Sequence, residues 1–147
     1  MDNELVLEIP NDVRTIESAV DYVMSRCDTC CDAARRLNLN FRVGLTEALS
    51  NAMLYGNDSD PQKRVRVEIT MARESITARV TDEGTGFNPD AVPDPTIPSN
   101  LFKSGGRGIF LMRSLLDEVM YNDEGNSVTL VLRLEEGKES LAGGAQA

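Results

Sequence analysis

The stretches Val65-Arg-Val-Glu-Ile-Thr-Met71 and Ser75-Ile-Thr-Ala-Arg-Val-Thr81 decide the fold of this chain. In both, apolar side chains alternate with polar or charged ones, which predicts two strands that each bury one face. The dipeptide Arg73-Glu74 lies between them and predicts a turn. The two strands therefore form a hairpin that covers a hydrophobic core.

The elements predicted around this hairpin follow from apolar spacing and from turn residues. Before it come a strand over Glu4–Ile9, a helix from about Asp12 toward Leu37 with a break near Asp28-Thr29, a connection marked by Asn38 and Asn40, and a helix from Phe41 to about Tyr55-Gly56-Asn57. After it come a long loop from Gly84 to Gly108, a short helix over Ile109–Leu116, and a second hairpin of Glu118–Tyr121 and Ser127–Leu134.

This order predicts an α+β fold, a two-layer α/β sandwich in which helices cover one face of a mixed, mostly antiparallel sheet. The predicted domain spans residues 1–136, and the Gly/Ala-rich residues 137–147 are expected to form a flexible tail.

Composition excludes several classes of protein. The net charge is −9, so nucleic acid and anionic membranes are not expected as direct partners. The chain contains no histidine, which excludes a Ser-His-Asp triad and a self-phosphorylating histidine kinase. The acidic N-terminus and the lack of a long apolar run predict a cytoplasmic protein. Cys27, Cys30 and Cys31 fit reduced thiols in a helix, and metal or redox use stays open.

Glu47 and Asn51 are the first candidate site residues. They are four positions apart on the second predicted helix, so both side chains project from one side of it. A carboxylate can accept a proton, and an amide oxygen can bind a hard cation such as Mg²⁺. Taken alone, the pair also fits a solvated helix face.

Two glycine-rich motifs are the other candidates. Asp82-Glu-Gly84-Thr-Gly86 follows a strand directly, where an acid can accept a hydrogen bond from an exocyclic amine and glycines allow close approach of a ligand. Gly105-Gly106-Arg107-Gly108 opens a helix, where exposed N–H groups and the arginine suit phosphate. Alone, these fit a simple turn and a flexible hinge.

Together, in this order and context, the three motifs resemble the N, G1 and G2 boxes of the GHKL superfamily of ATPases, which have the histidine-kinase-like (Bergerat) fold. The resemblance spans roughly residues 5 to 134. In detail the chain is most similar to the anti-sigma factor serine kinases, above all in the run Leu45-Thr-Glu-Ala-Leu-Ser-Asn-Ala-Met-Leu-Tyr-Gly56 and in the short loop before Gly105-Gly106-Arg107-Gly108-Ile109.

The resemblance implies binding of ATP and Mg²⁺ and a role for each matched residue. It implies Glu47 as general base toward a serine hydroxyl, Asn51 as the Mg²⁺ ligand, Asp82 as acceptor from the adenine amino group, Gly84 and Gly86 as the purine pocket, and Gly105, Gly106, Arg107 and Gly108 as the phosphate-binding segment. Tyr55 stands where many members carry a histidine, and it could still stack on the nucleotide or donate one hydrogen bond.

The resemblance also implies partners. The chain would be a homodimeric, ATP-dependent kinase that binds a sigma factor and phosphorylates a serine on a STAS-type anti-sigma factor antagonist. Two alternatives stay open, an ATP-gated binding module without kinase activity and a detached catalytic domain of a histidine kinase.

Overall fold

The computed structural model describes residues 3–27, 37–84 and 106–134. Five strands lie in these ranges: β1 (Asn3–Pro10), β2 (Arg64–Met71), β3 (Ser75–Thr81), β4 (Glu118–Tyr121) and β5 (Ser127–Arg133). They form one sheet in the order β1-β2-β3-β5-β4, and each neighbouring pair is antiparallel. The sheet was expected to be mixed, and the described part of it is wholly antiparallel.

Three α-helices accompany the sheet: α1 (Ile16–Arg26), α2 (Arg42–Asn51) and α3 (Gly106–Leu115). A single 3-10 turn, Val13–Thr15, leads into α1. Helix α2 is prolonged at both ends by wider π-helical turns, Leu37–Phe41 before it and Ala52–Gly56 after it. Turns of this kind are frequent at functional sites.

The helices pack on one face of the sheet. The alternate residues of the central strands that face them are almost fully buried: Val65, Val67 and Ile69 of β2, Ile76, Ala78 and Val80 of β3, and Val128, Leu130 and Leu132 of β5. Helix α2 supplies the middle of this core with Leu45, Ala48 and Leu49. On the opposite face, Arg66, Arg79 and Arg133 are exposed. The predicted two-layer sandwich is therefore confirmed.

The two predicted hairpins, the connection at Arg73-Glu74 and the first strand are confirmed, and helix boundaries needed correction. The first helix begins at Ile16 and not near Asp12, because Asp12 caps a 3-10 turn by accepting from the Arg14 N–H at 2.9 Å. It ends at Arg26, and residues 28–36 of the predicted segment lie outside the described residues. Asn38 and Asn40 do not mark a connection but lie in the π-helical turn before α2.

Helix α3 also differs from its predicted bounds. It begins at Gly106, so the last residues of the predicted loop are helical, and it ends at Leu115. The rest of that loop, the predicted break near Asp28-Thr29 and the predicted tail lie outside the described residues. No described helix has the length and apolar character needed to cross a membrane.

Gly44 sets how closely α2 approaches the end of α3. A Cβ atom on Gly44 would lie 2.6 Å from Cδ1 of Leu116, which is itself buried. Carbon atoms do not approach to that distance, so a side chain at position 44 would push the two helices apart or displace Leu116.

We therefore expect Gly44→Ala to lower the free energy of unfolding by about 1–3 kcal/mol, the usual effect of overpacking a core. This is the opposite of the gain that Gly→Ala gives in an open helix position. Urea denaturation of Gly44→Ala, Leu116→Ala and the double variant measures the effect. Because Leu116→Ala removes the clashing atom, the double variant should be more stable than the sum of the single changes implies. Simple additivity would refute this packing role.

Candidate functional site

Asp82 lies directly after β3, and the residue is only 7% exposed. Its own N–H donates to the carbonyl of Asn126 at 2.9 Å, which joins it to the turn before β5. Its Oδ1 accepts from the Gly84 N–H at 2.8 Å. Burial raises the pKa of this carboxyl, while the hydrogen bond from Gly84 and the nearby Lys63 act in the opposite direction.

Two glycines press against this carboxylate. A Cβ atom on Gly56, at the end of the π-helical turn after α2, would lie 2.1 Å from Oδ2 of Asp82. A Cβ atom on Gly84 would lie 1.7 Å from the carbonyl oxygen of Gly56. Neither position can hold a side chain without displacing the segment, so glycine here is required by close approach.

Glu47 and Asn51 meet the start of α3 at Gly108. A Cβ atom on Gly108 would lie 2.7 Å from Oε1 of Glu47 and 3.2 Å from Nδ2 of Asn51. The predicted base, the predicted metal ligand and one glycine of the predicted phosphate segment are therefore neighbours. Asn51 is buried, and its Nδ2 has no hydrogen-bond partner among the described residues.

A small, partly open cleft lies between these two clusters. Asn51 lines it from α2 and Asp82 from the end of β3. Tyr121 and Asn126, which sequence reasoning did not single out, line it from the last hairpin. Burial raises the pKa of Tyr121 to about 12, so its hydroxyl stays protonated at neutral pH. The cleft is lined by both polar and apolar groups, as ligand sites are.

Asn122 organises the turn that carries Asn126. Its Oδ1 accepts from the N–H groups of Gly125, Asn126 and Ser127 at 2.8, 3.0 and 3.2 Å. Its Nδ2 donates to Oδ1 of Asn126 at 2.7 Å. The only signal for this in the sequence is an asparagine before a glycine-containing turn, which is too common to single out a site.

The other site predictions stand as follows. Gly86 and Gly105 lie outside the described residues, and Gly106 and Arg107 form the first turn of α3. Tyr55 is 47% exposed and is not among the described residues that line the cleft, so its contact with a nucleotide stays a prediction. Asn57, at the end of the second predicted helix, is completely buried and bonded to protein groups.

Residues 9–132 match the family model described as "Histidine kinase-like ATPase domain". The chain belongs to that family. The predicted family is thereby confirmed, and the five-stranded sheet with helices on one face is the fold that the resemblance implied.

The curated relatives of this chain are named as a serine-protein kinase or as anti-sigma factors. Over 104 residues it is 26% identical to the Serine-protein kinase RsbW of Listeria monocytogenes, and the match covers 66% of each chain, just under two thirds. It is 32% identical over 90 residues to the Anti-sigma F factor of Geobacillus thermodenitrificans, covering 59% of this chain and 61% of the relative. For the Anti-sigma F factor of Clostridium perfringens the identity is 25% over 95 residues, with 63% and 68% covered.

The donor set at Asn51 fits a magnesium ion. Mg²⁺ prefers oxygen ligands and uses few protein groups beside phosphates and water. Oδ1 of Asn51 is an oxygen of this kind, and the carboxylate of Glu47 lies near the same amide beside Gly108. The buried Nδ2, which has no hydrogen-bond partner among the described residues, is a donor, so it would pair with a phosphate oxygen and not with the ion.

The three cysteines contribute nothing to this site that the structure describes. Cys27 is buried at the end of α1, and burial raises the pKa of its thiol to about 11. A thiol of that kind is unreactive at neutral pH. Cys30 and Cys31 lie outside the described residues, and within the described ranges no cluster of three or more metal-binding side chains occurs.

Replacing the buried acid Asp82 should have opposite effects on the stability of the fold and on the affinity for ATP. Between the ordinary pKa of aspartate, about 3.9, and the raised value, the folded protein holds a proton that the unfolded chain releases. Stability therefore falls as the pH rises through that interval. We expect Asp82→Asn to raise the free energy of unfolding at neutral pH, with a gain that shrinks as the pH approaches about 4.

The same substitution should lower ATP affinity at least several-fold, because a buried donor or acceptor left unpaired costs about 1–3 kcal/mol. Denaturation at several pH values and titration calorimetry give the two readouts. Asp123→Asn changes an exposed carboxylate in the same way and should alter neither. Equal ATP affinity in Asp82→Asn and the parent would show that Asp82 does not read the base.

Proposed function

We propose that this chain is an ATP-dependent protein serine kinase that binds a sigma factor and phosphorylates a serine on an anti-sigma factor antagonist. One observation supports this above all: Asn51, which meets Glu47 at Gly108, and the buried Asp82 line the same cleft. The names of the relatives, a serine-protein kinase and anti-sigma factors, favour the same activity and the sigma-factor partner.

ATP would lie along this cleft with its base toward Asp82. The carboxylate of Asp82 accepts from the amino group of adenine, which returns a hydrogen-bond partner to a buried charge. The phosphates lie toward the first turn of α3, where the N–H groups of a helix start are unpaired and favour anions. Asn51 would hold Mg²⁺ beside them, and the ion would neutralise charge on the transferred group.

Glu47 carries the acid–base step. Its carboxylate accepts the proton of the serine hydroxyl as the serine oxygen forms a bond to the γ-phosphorus. The bond between the γ-phosphorus and the bridging oxygen to the β-phosphate breaks, and ADP leaves with the electron pair of that bond. The products are a phosphoserine on the antagonist, ADP and a protonated Glu47.

Release of the product follows from charge. A phosphoserine carries about −1.5 to −2 at neutral pH, and the chain carries a net charge of −9. Repulsion between the two would favour dissociation of the phosphorylated antagonist. In this proposal the chain acts as a homodimer. The phosphorylation state of the antagonist decides whether the chain binds the antagonist or the sigma factor.

The partners are identified by a pull-down from the native cytosol with and without Mg-ATP. Recovery of a sigma factor and of a small antagonist supports the proposal. The antagonist is then incubated with the chain and γ-labelled ATP, and the label is tested for acid stability. Phosphoserine survives acid and phosphohistidine does not, so an acid-labile product would point to the catalytic domain of a histidine kinase instead.

Variants at positions 47 and 51 separate a kinase from an ATP-gated binder. Glu47→Gln keeps size and hydrogen bonding but cannot accept the proton, so transfer should slow by about 10²–10⁴-fold while Mg-ATP affinity stays near that of the parent. Asn51→Ala should lose metal-dependent nucleotide binding and transfer together. Single-turnover transfer of labelled phosphate and nucleotide affinity are measured for both.

Ser50→Ala is the matched control, since Ser50 is a half-buried neighbour on the same helix and belongs to neither cluster. It should transfer phosphate at the parent's rate. Parent-like transfer by Glu47→Gln would remove Glu47 from the role of base. A parent that binds ATP and a sigma factor yet phosphorylates no recovered antagonist would favour the binding module.

A further inference from the structure

Two buried asparagines lie behind the cleft and have no part in the proposed chemistry. Asn57 follows the π-helical turn after α2 and is 0% exposed, and Asn11 follows β1 and is 8% exposed. A buried amide is costly unless its polar atoms are paired, so the partners of these side chains indicate what they hold in place.

Asn57 joins three separate parts of the chain. Its Nδ2 donates to Oδ1 of Asn11 at 3.1 Å and to the carbonyl of Arg64 at 3.0 Å. Its Oδ1 accepts from the N–H of Glu83 at 2.7 Å. The backbone N–H of Glu83 can only donate, and the carbonyl of Arg64 can only accept, so these partners fix the orientation of the Asn57 amide.

The bond to Glu83 reaches the base-binding end of the cleft. Glu83 lies between Asp82, whose carboxylate lines the cleft, and Gly84, whose N–H donates to that carboxylate at 2.8 Å. Gly56 precedes Asn57, and its backbone lies close against Oδ2 of Asp82. Asn57 thus holds the 82–84 segment through the N–H of Glu83, and Gly56 packs against the same segment.

We propose that Asn57 is a positioning residue for base selection: by holding the N–H of Glu83 it fixes the carboxylate of Asp82 in the cleft. The inference rests on the proposed ATP site. Asn57 touches no ligand in this account, because it is fully buried behind the segment. The preference for adenine over guanine nevertheless depends on it, since adenine presents an amino donor where guanine presents a carbonyl acceptor.

Asn11 provides a matched control. Its Nδ2 donates to the carbonyl of Asp60 at 2.9 Å and to that of Met53 at 3.3 Å. It shares the bond to Asn57 but, among the bonds the structure describes, makes none to residues 82–84. Asn57→Ala and Asn11→Ala each remove a buried amide from the same network, and only the first removes the bond to Glu83.

The experiment measures the dissociation constants of Mg-ATP and Mg-GTP for the parent and both variants, together with thermal stability. Asn57→Ala should weaken ATP binding by about tenfold and leave GTP binding nearly unchanged, so the ratio of the two constants falls. Asn11→Ala should melt several degrees lower than the parent and keep the parent's ratio. A folded Asn57→Ala with the parent's ratio, or an equal fall in Asn11→Ala, would overturn the proposal.

A second measurement on the unaltered chain covers the case in which Asn57→Ala does not fold. In the nucleotide-free parent, the amide hydrogen of Glu83 should exchange with solvent at least about 100-fold more slowly than an unprotected amide, because Oδ1 of Asn57 holds it. Unprotected exchange would overturn the positioning role and leave the ATP site standing. A parent that binds neither nucleotide would instead overturn the ATP site, and this inference with it.

Discussion

The backbone of Gly56 lies against Gly84, and the candidate site depends on that contact. A Cβ atom on Gly84 would fall 1.7 Å from the Gly56 carbonyl oxygen, and one on Gly56 would fall 2.1 Å from the Asp82 carboxylate. The end of the long helical segment and the end of β3 can therefore meet only without side chains between them. This approach encloses the acid, and it brings the end of the helical segment that carries Glu47 and Asn51 to the sheet.

Enclosing Asp82 has a cost that a ligand can offset. Burial raises the pKa of the carboxyl, so the charged form at neutral pH works against folding. Its described partner is the N–H of Gly84, and the side facing the cleft is available for a donor. Binding sites commonly retain groups that lower stability and become satisfied only with ligand bound. Asn51, with its unpartnered Nδ2, shows the same feature at the other end of the cleft.

Helix α2 is held against α3 at two places, and at each of them a glycine allows the two segments to come close. Gly44 lets α2 lie against Leu116, and Gly108 lets the first turn of α3 come up to Glu47 and Asn51. The wider turn Ala52–Gly56 then carries the chain from the helix to Asp82. One continuous helical segment thereby positions Glu47 and Asn51, which are proposed to act at the phosphates. Its end also positions Gly56, which lies against Asp82, the residue proposed to read the base.

The sequence by itself determined the strands, their buried faces, the three motifs and the family, because alternation and short motifs depend on neighbours along the chain. Alternation gave β2, β3 and β5 correctly, and the spacing of Glu47 and Asn51 placed both on one side of a helix. Only the tertiary structure decided that Leu37–Phe41 already has helical geometry and that Gly56 and Asn57 contact the segment that carries Asp82. An asparagine at a helix end looks the same in sequence whether it faces water or is buried. Two of the three partners of Asn57 lie 46 and 26 residues away, so its role exists only once β1, α2 and β3 have come together.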